Sequence, residues 1–105
     1  MKVLCVCNHG NVRSVALARA IKDQTEIYTF PIKNEAIAVG AEYISPKTMK
    51  LLRDWADKIV WMSDKVFPPN DVIDYRVRVG VDRWHNPFHP ELQEIMKEIA
   101  KEVLQ

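Results

Sequence analysis

Lys2-Val3-Leu4-Cys5-Val6-Cys7-Asn8-His9-Gly10-Asn11-Val12-Arg13-Ser14 runs from an apolar stretch into a loop that opens on a cysteine and closes on Arg-Ser, and an alanine-rich segment follows it. Lys2 to Cys7 reads as a strand buried on both faces of a parallel sheet, because its interior holds no polar side chain. Arg13 to Lys22 reads as a helix. Its residues are mostly good helix formers, with Val15, Ala18 and Ile21 at helical spacing and Ala16 and Ala20 small enough for close packing. A loop feeding a helix N-terminus gathers unpaired backbone N–H groups at the positive end of the helix dipole, so the eight residues from Cys7 to Ser14 form a candidate anion cradle.

Each loop residue then has a chemical task. Gly10 can take a positive φ, which lets consecutive amides curl inward as a nest. The amides of Asn8, His9, Gly10, Asn11, Val12 and Arg13 are expected to donate to phosphoryl oxygens, and the Arg13 guanidinium can grip two of those oxygens with its planar fork. The same donors favour a thiolate at Cys7, a nucleophile aimed at phosphorus. Ser14 can donate its hydroxyl to that sulfur, tempering it and easing its departure. Cys, Gly, Arg and Ser at offsets 0, 3, 6 and 7 would coincide by chance at about 1 in 100,000 positions, so the pattern is read as functional. Cys5, inside the strand, reads as a small hydrophobe.

Outward from the loop, the chain alternates in the manner of a parallel α/β sheet covered on both faces. Glu26 to Phe30 is expected as the second strand, and Ile32 to Tyr43 as a loop with a short helix, since Lys33-Asn34-Glu35 is turn-like and Gly40 interrupts its neighbours. Ser45-Pro46 offers an N-cap and a first-turn proline for a helix over about 46–56. Lys58 to Met62 is a third strand. Tyr75 to Val81 alternates valine with arginine and glycine and predicts a half-exposed fourth strand. From Pro90, the residues Leu92, Ile95, Met96, Ile99 and Val103 outline a last amphipathic helix. The expectation is one domain over residues 1–105, with a four-stranded parallel sheet and the phosphate-binding loop after its first strand.

Composition narrows the function. A chain of 105 residues with 15 basic and 14 acidic side chains carries a formal charge of only +1, which gives no net drive toward nucleic acid or a membrane. Hydrophobic residues at 48% and charged residues at 28% are those of a folded globular domain. Met1-Lys2 enters the strand without a signal-peptide pattern and the apolar runs are short, so a cytoplasmic location is expected. The two cysteines lie two residues apart in an extended segment, where a disulfide would be strained, and both are read as thiols.

Cys-x-x-Gly-x-x-Arg-Ser directly after an N-terminal strand resembles the signature loop of the low-molecular-weight protein-tyrosine phosphatases, whose fold is shared with thioredoxin-coupled arsenate reductases. Ala56-Asp57-Lys58-Ile59-Val60-Trp61-Met62 resembles the third-strand region of the same branch. The resemblance implies a phosphocysteine intermediate, a phosphorylated protein or small aryl phosphate as substrate, and no metal or organic cofactor. The sequence departs from the family at informative places. His9 and Gly10 stand where Gly and Asn are usual, and Val12 stands where a second loop cysteine is common. Arsenate reduction would need resolving cysteines, and none follows Cys7.

In the family an Asp-Pro pair before the last helix supplies the proton for the leaving oxygen. Here the matching pair is Asn86-Pro87, and an amide cannot donate a catalytic proton. Asp82, the nearest carboxylate, is therefore the expected general acid, with His85 as the fallback. Trp84 and Phe88 are candidate walls for a phenyl ring, and Tyr43 a candidate for the opposite rim. Asp57 and Asp64, flanking the third strand, read as turn residues, and His89 as a helix-entry residue. Two other functions are compatible with the loop. One is a phosphocysteine carrier of a sugar phosphotransfer system, against which Arg13-Ser14 argues. The other is a phosphate- or phosphoprotein-binding module of weak activity, which Asn86 favours.

Overall fold

The apolar run Val3-Leu4-Cys5-Val6 becomes a central strand. In the computed structural model, which describes residues 1–26, 34–80 and 83–105, β1 (Lys2–Cys7) lies between β2 (Glu35–Gly40) and β3 (Lys58–Trp61), and β4 (Ile73–Asp74) pairs with the far side of β3. All pairings are parallel, with Lys2 opposite Glu35, Cys7 opposite Gly40, Val6 opposite Trp61 and Trp61 opposite Asp74. Helices α1 (Arg13–Glu26), α2 (Pro46–Trp55), α3 (Arg76–Val79) and α4 (Pro90–Val103) complete the elements.

Alternation along β1 divides the core into two layers. Val3, Cys5 and Cys7 pack with Val60 and Met62 among Ala16, Leu17, Ala20 and Ile21 of α1 and Leu92, Met96, Ile99 and Val103 of α4. Leu4 and Val6 face the other way, with Ile59 and Trp61, under Met49 and Leu52 of α2. Helices thus cover both faces of the sheet. Each fully buried Leu, Ile or Val stabilises the fold by about 1.5–3 kcal/mol relative to exposure.

The strand order β2-β1-β3-β4 means that the chain leaves β1 to one side and later returns to the other. The crevice at the carboxyl ends of β1 and β3 is therefore the topological switch point, where ligands of open α/β sheets bind. The loop after β1 opens there.

Helix ends follow their sequence signals. The Ser45 side chain accepts from Thr48 N at 3.1 Å and Pro46 begins α2. His89 Nδ1 accepts from Glu91 N at 3.2 Å at the start of α4, in keeping with a helix-entry role.

Two expectations are corrected. The stretch expected as loop and short helix, Ile32 to Tyr43, contains β2. Ala36, Ala38 and Gly40 have weak strand preference of their own, yet six residues of pairing with β1 outweigh it, and Ala36 is small enough to be buried under α1. The strand expected over Tyr75 to Val81 is instead a short helix after a two-residue strand. Tyr75 N still donates to Trp61 O, but the Asp74 carboxylate then accepts from Arg76 N at 3.0 Å and turns the chain into α3. Of the alternating valines, Val77 is 97% exposed and Val79 is buried, while Val81 lies outside the described residues. Residues 27–30 of the expected second strand also lie outside them, and Glu26 closes α1.

Candidate active site

Past Cys7 the chain keeps its pairing with the continuation of β2, since Ala41 N donates to Cys7 O at 2.7 Å and Glu42 N to Asn8 O at 3.1 Å. The turn is delayed to Gly10, which has φ of 77°. Here Gly10 and Gly40 require each other. A Cβ on Gly10 would stand 2.4 Å from Gly40 N, and one on Gly40 would stand 2.4 Å from the carbonyl carbon of His9. The residue that looked like an interruption in the sequence is the floor on which the loop rests.

The loop closes on the sulfur of Cys7. Gly10 N donates to Cys7 Sγ at 3.2 Å, Ser14 N donates to it at 3.4 Å, and Ser14 Oγ lies 3.1 Å away. Ser14 N is one of the amides that a helix start leaves without an intrahelical partner, so the sulfur sits where the first turn of α1 points its donors. Cys7 and Ser14 are both buried. Cys5 has a different environment on the same face of the strand. Burial pushes its thiol strongly up, the nearby Cys7 adds to the effect, and Lys22 opposes it, so Cys5 stays protonated.

Two further side chains lock the loop to the rest of the crevice. The buried Asn8 amide spans to the segment after β3, where its Oδ1 accepts from Ser63 Oγ at 2.6 Å and Lys65 N at 3.2 Å and its Nδ2 donates to Asp64 Oδ1 at 2.6 Å. Arg13 is 0% exposed. Its Nη1 donates to Met62 O at 2.8 Å and to Gly80 O at 3.0 Å, and its Nη2 lies 3.5 Å from Asp64 Oδ1. The guanidinium thus ties the loop to the end of β3 and to the residue after α3. Hydrogen bonding from Asn8 holds the Asp64 carboxyl below its usual range; its own backbone amide and Arg13 help, against partial burial.

At the outer edge, His9 Nδ1 lies 3.5 Å from Glu42 Oε2 and the His9 ring rests on Tyr43 with centroids 5.4 Å apart. Tyr43 is 74% exposed. Asn11 is exposed and the Val12 side chain packs into the core.

The remaining expected site residues are scattered. Asp82 lies outside the described residues. Trp84, expected as a wall of the site, is 5% exposed and packs into the core, with the Arg83 guanidinium 4.8 Å from its ring centroid. An indole whose area is nearly all buried in the core offers little face to a phenyl ring. Asn86 Oδ1 accepts from Phe88 N at 2.8 Å, an Asx turn before α4. His85 is exposed, and half-exposed Phe88 lies under the Arg19 guanidinium, 4.6 Å from its ring centroid. Asp57 accepts from Lys2 N at 2.8 Å, a structural role. A groove lined by Ala16, Arg19, Asp23, Pro87, Gln93 and Lys97 includes none of the loop residues.

Sequence reasoning missed Asp64, Ser63 and Gly40 as members of the site. The signal for the first two was their position just past β3 at the switch point. For Gly40 it was the need of Gly10 for a partner without a side chain.

Comparisons with protein-family models, curated proteins and solved structures return no match. The functional reading therefore rests on the geometry of the loop.

Proposed function

We propose that this protein is a cysteine-dependent phosphatase of the low-molecular-weight protein-tyrosine phosphatase type, acting in the cytoplasm on protein phosphotyrosine or small aryl phosphates. Cys7 Sγ attacks phosphorus and forms an S–P bond as the P–O bond to the leaving group breaks. Asp82 gives its proton to the departing oxygen. Water then attacks the phosphocysteine, Asp82 takes the proton back, and phosphate and the Cys7 thiolate are released. Arg13 and the loop amides hold the equatorial oxygens, and the Ser14 hydroxyl donates to the sulfur as it leaves.

The observation that carries this reading is the polar ring around one sulfur: Gly10 N and Ser14 N donate to Cys7 Sγ and Ser14 Oγ lies 3.1 Å from it, in a loop closed by a buried arginine. A cysteine serving only as a small hydrophobe needs none of these. The His9–Tyr43 pair supplies an aromatic surface at the rim, the role that Trp84, packed in the core, is poorly placed to fill. No described helix is long and apolar enough to cross a membrane.

Asn86 favours one second reading, a phosphate-binding module without turnover, because its side chain serves a turn rather than a proton transfer. Turnover of p-nitrophenyl phosphate separates the two. Multiple turnovers by the wild type, lost by about four orders of magnitude in Cys7→Ser and by at least about a hundredfold in Arg13→Ala, are expected of the enzyme. Binding of phosphate without turnover in the wild type would establish the module instead. Stable phosphorylation of Cys7 by a donor protein would point to the carrier.

A further inference from the structure

Asp64 faces the loop from the carboxyl end of β3, and a single oxygen of it engages two loop residues. Asp64 Oδ1 accepts from Asn8 Nδ2 at 2.6 Å and lies 3.5 Å from Arg13 Nη2, with the side chain 36% exposed. Arg13 does not owe its position to this contact. Its Nη1 is anchored by the carbonyls of Met62 and Gly80 at shorter distances, and the whole side chain is buried. The Asp64 carboxylate is therefore a weak tether but a full charge. Hydrogen bonding from Asn8 keeps it ionised, with help from Arg13.

An oxyanion bound in the loop needs the outer donors of Arg13, and Nη2 is the one directed at Asp64. We propose that Asp64 is a resident anion that engages Arg13 and is displaced from it when an oxyanion enters, so that its charge sets the affinity of the loop for phosphate. The proposal rests on the phosphatase reading of the loop. It makes Asp64 a residue that acts through Arg13 and Asn8. It also gives the site a way to release its product: the carboxylate competes with inorganic phosphate for the same guanidinium edge.

The test uses Asp64→Asn, which keeps an oxygen to accept from Asn8 and removes the charge. Iodoacetamide labelling of Cys7 is followed against inorganic phosphate, and the phosphate concentration for half-protection is compared between wild type and variant. The expected result is half-protection at roughly tenfold lower phosphate in Asp64→Asn, with the difference shrinking as salt is added. Equal or weaker protection in the variant overturns the proposal and leaves the loop reading standing, because phosphate still protects. Failure of phosphate to protect either protein overturns both. A thermal melt checks that the variant folds. If it does not, the carboxylate carbon resonance of Asp64 in labelled wild type decides. Movement of that resonance with the half-point of phosphate protection supports displacement, and an unmoved resonance at saturation contradicts it.

Discussion

The loop after β1 and the segment that follows β4 both belong to the crevice edge, yet they are built in opposite ways. Between Cys7 and Ser14 the side chains of Cys7, Asn8, Arg13 and Ser14 are tied to fixed partners on the residues after β3, on Gly80 after α3, or within the loop itself. From Asp74 on the chain makes one turn of helix, leaves Val77 in solvent and settles the Asp74, Arg76, Tyr75 and Arg78 side chains in surface ion pairs and hydrogen bonds. Such solvent-exposed pairs contribute little to stability. The proposed nucleophile is held by the fold. Gly80 O, accepting from Arg13, is a direct link between the two regions.

The largest effect that would sharpen this contrast is at Asp82. If the second region supplies the proton, Asp82→Asn lowers kcat by about 10²–10⁴-fold for phenyl phosphate, a poor leaving group, and much less for an activated aryl phosphate. Equal losses on both substrates would remove Asp82 from the chemistry. Next is Gly40→Ala. Its Cβ would meet the His9 carbonyl group at 2.4–2.5 Å, backbone against backbone. The loop must move, and a loss of about 2–3 kcal/mol in a urea melt together with loss of phosphate protection at Cys7 is expected. An unchanged loop would show that the Gly10–Gly40 contact is slack. The smallest is Gly80→Ala. Gly80 has φ of 80° and ψ of −169°, a region essentially reserved for glycine, but a Cβ there would touch nothing within 4 Å. Strain alone costs about 1–2 kcal/mol. Because Gly80 O holds Arg13, a small rise in KM should accompany the stability loss, and a rise without it would mean that the strain is absent.

How far the sequence could be read follows the same division. The strand–loop–helix unit was legible because its signals are local: an uninterrupted apolar run, a glycine at the turn, orphan amides at a helix start. Helix α2 was legible from Ser45-Pro46, and α4 from Pro90 and its apolar spacing. Strand β2 was not, since Ala36, Ala38 and Gly40 carry little strand preference and acquire their conformation only by pairing with β1. Arg76 to Val79 misled in the other direction. Alternation of valine and arginine matches a strand, but the hydrogen bond from Arg76 N to the Asp74 side chain turns the chain and Val79 N then donates to Tyr75 O as in a helix. Within the site, the approach of Gly10 and Ser14 to the Cys7 sulfur was legible from their spacing. Asp64 could not, because its partners lie 51 and 56 residues away along the chain.

The central claim is that the sulfur of Cys7 becomes bonded to phosphorus during the reaction. Rapid quenching of the wild-type protein with a radiolabelled aryl phosphate, followed by peptide mapping, tests this directly. The account predicts label on the peptide containing Cys7, formed within the first turnover and absent from Cys7→Ser. Phosphate release with no label on that peptide at any time would contradict it.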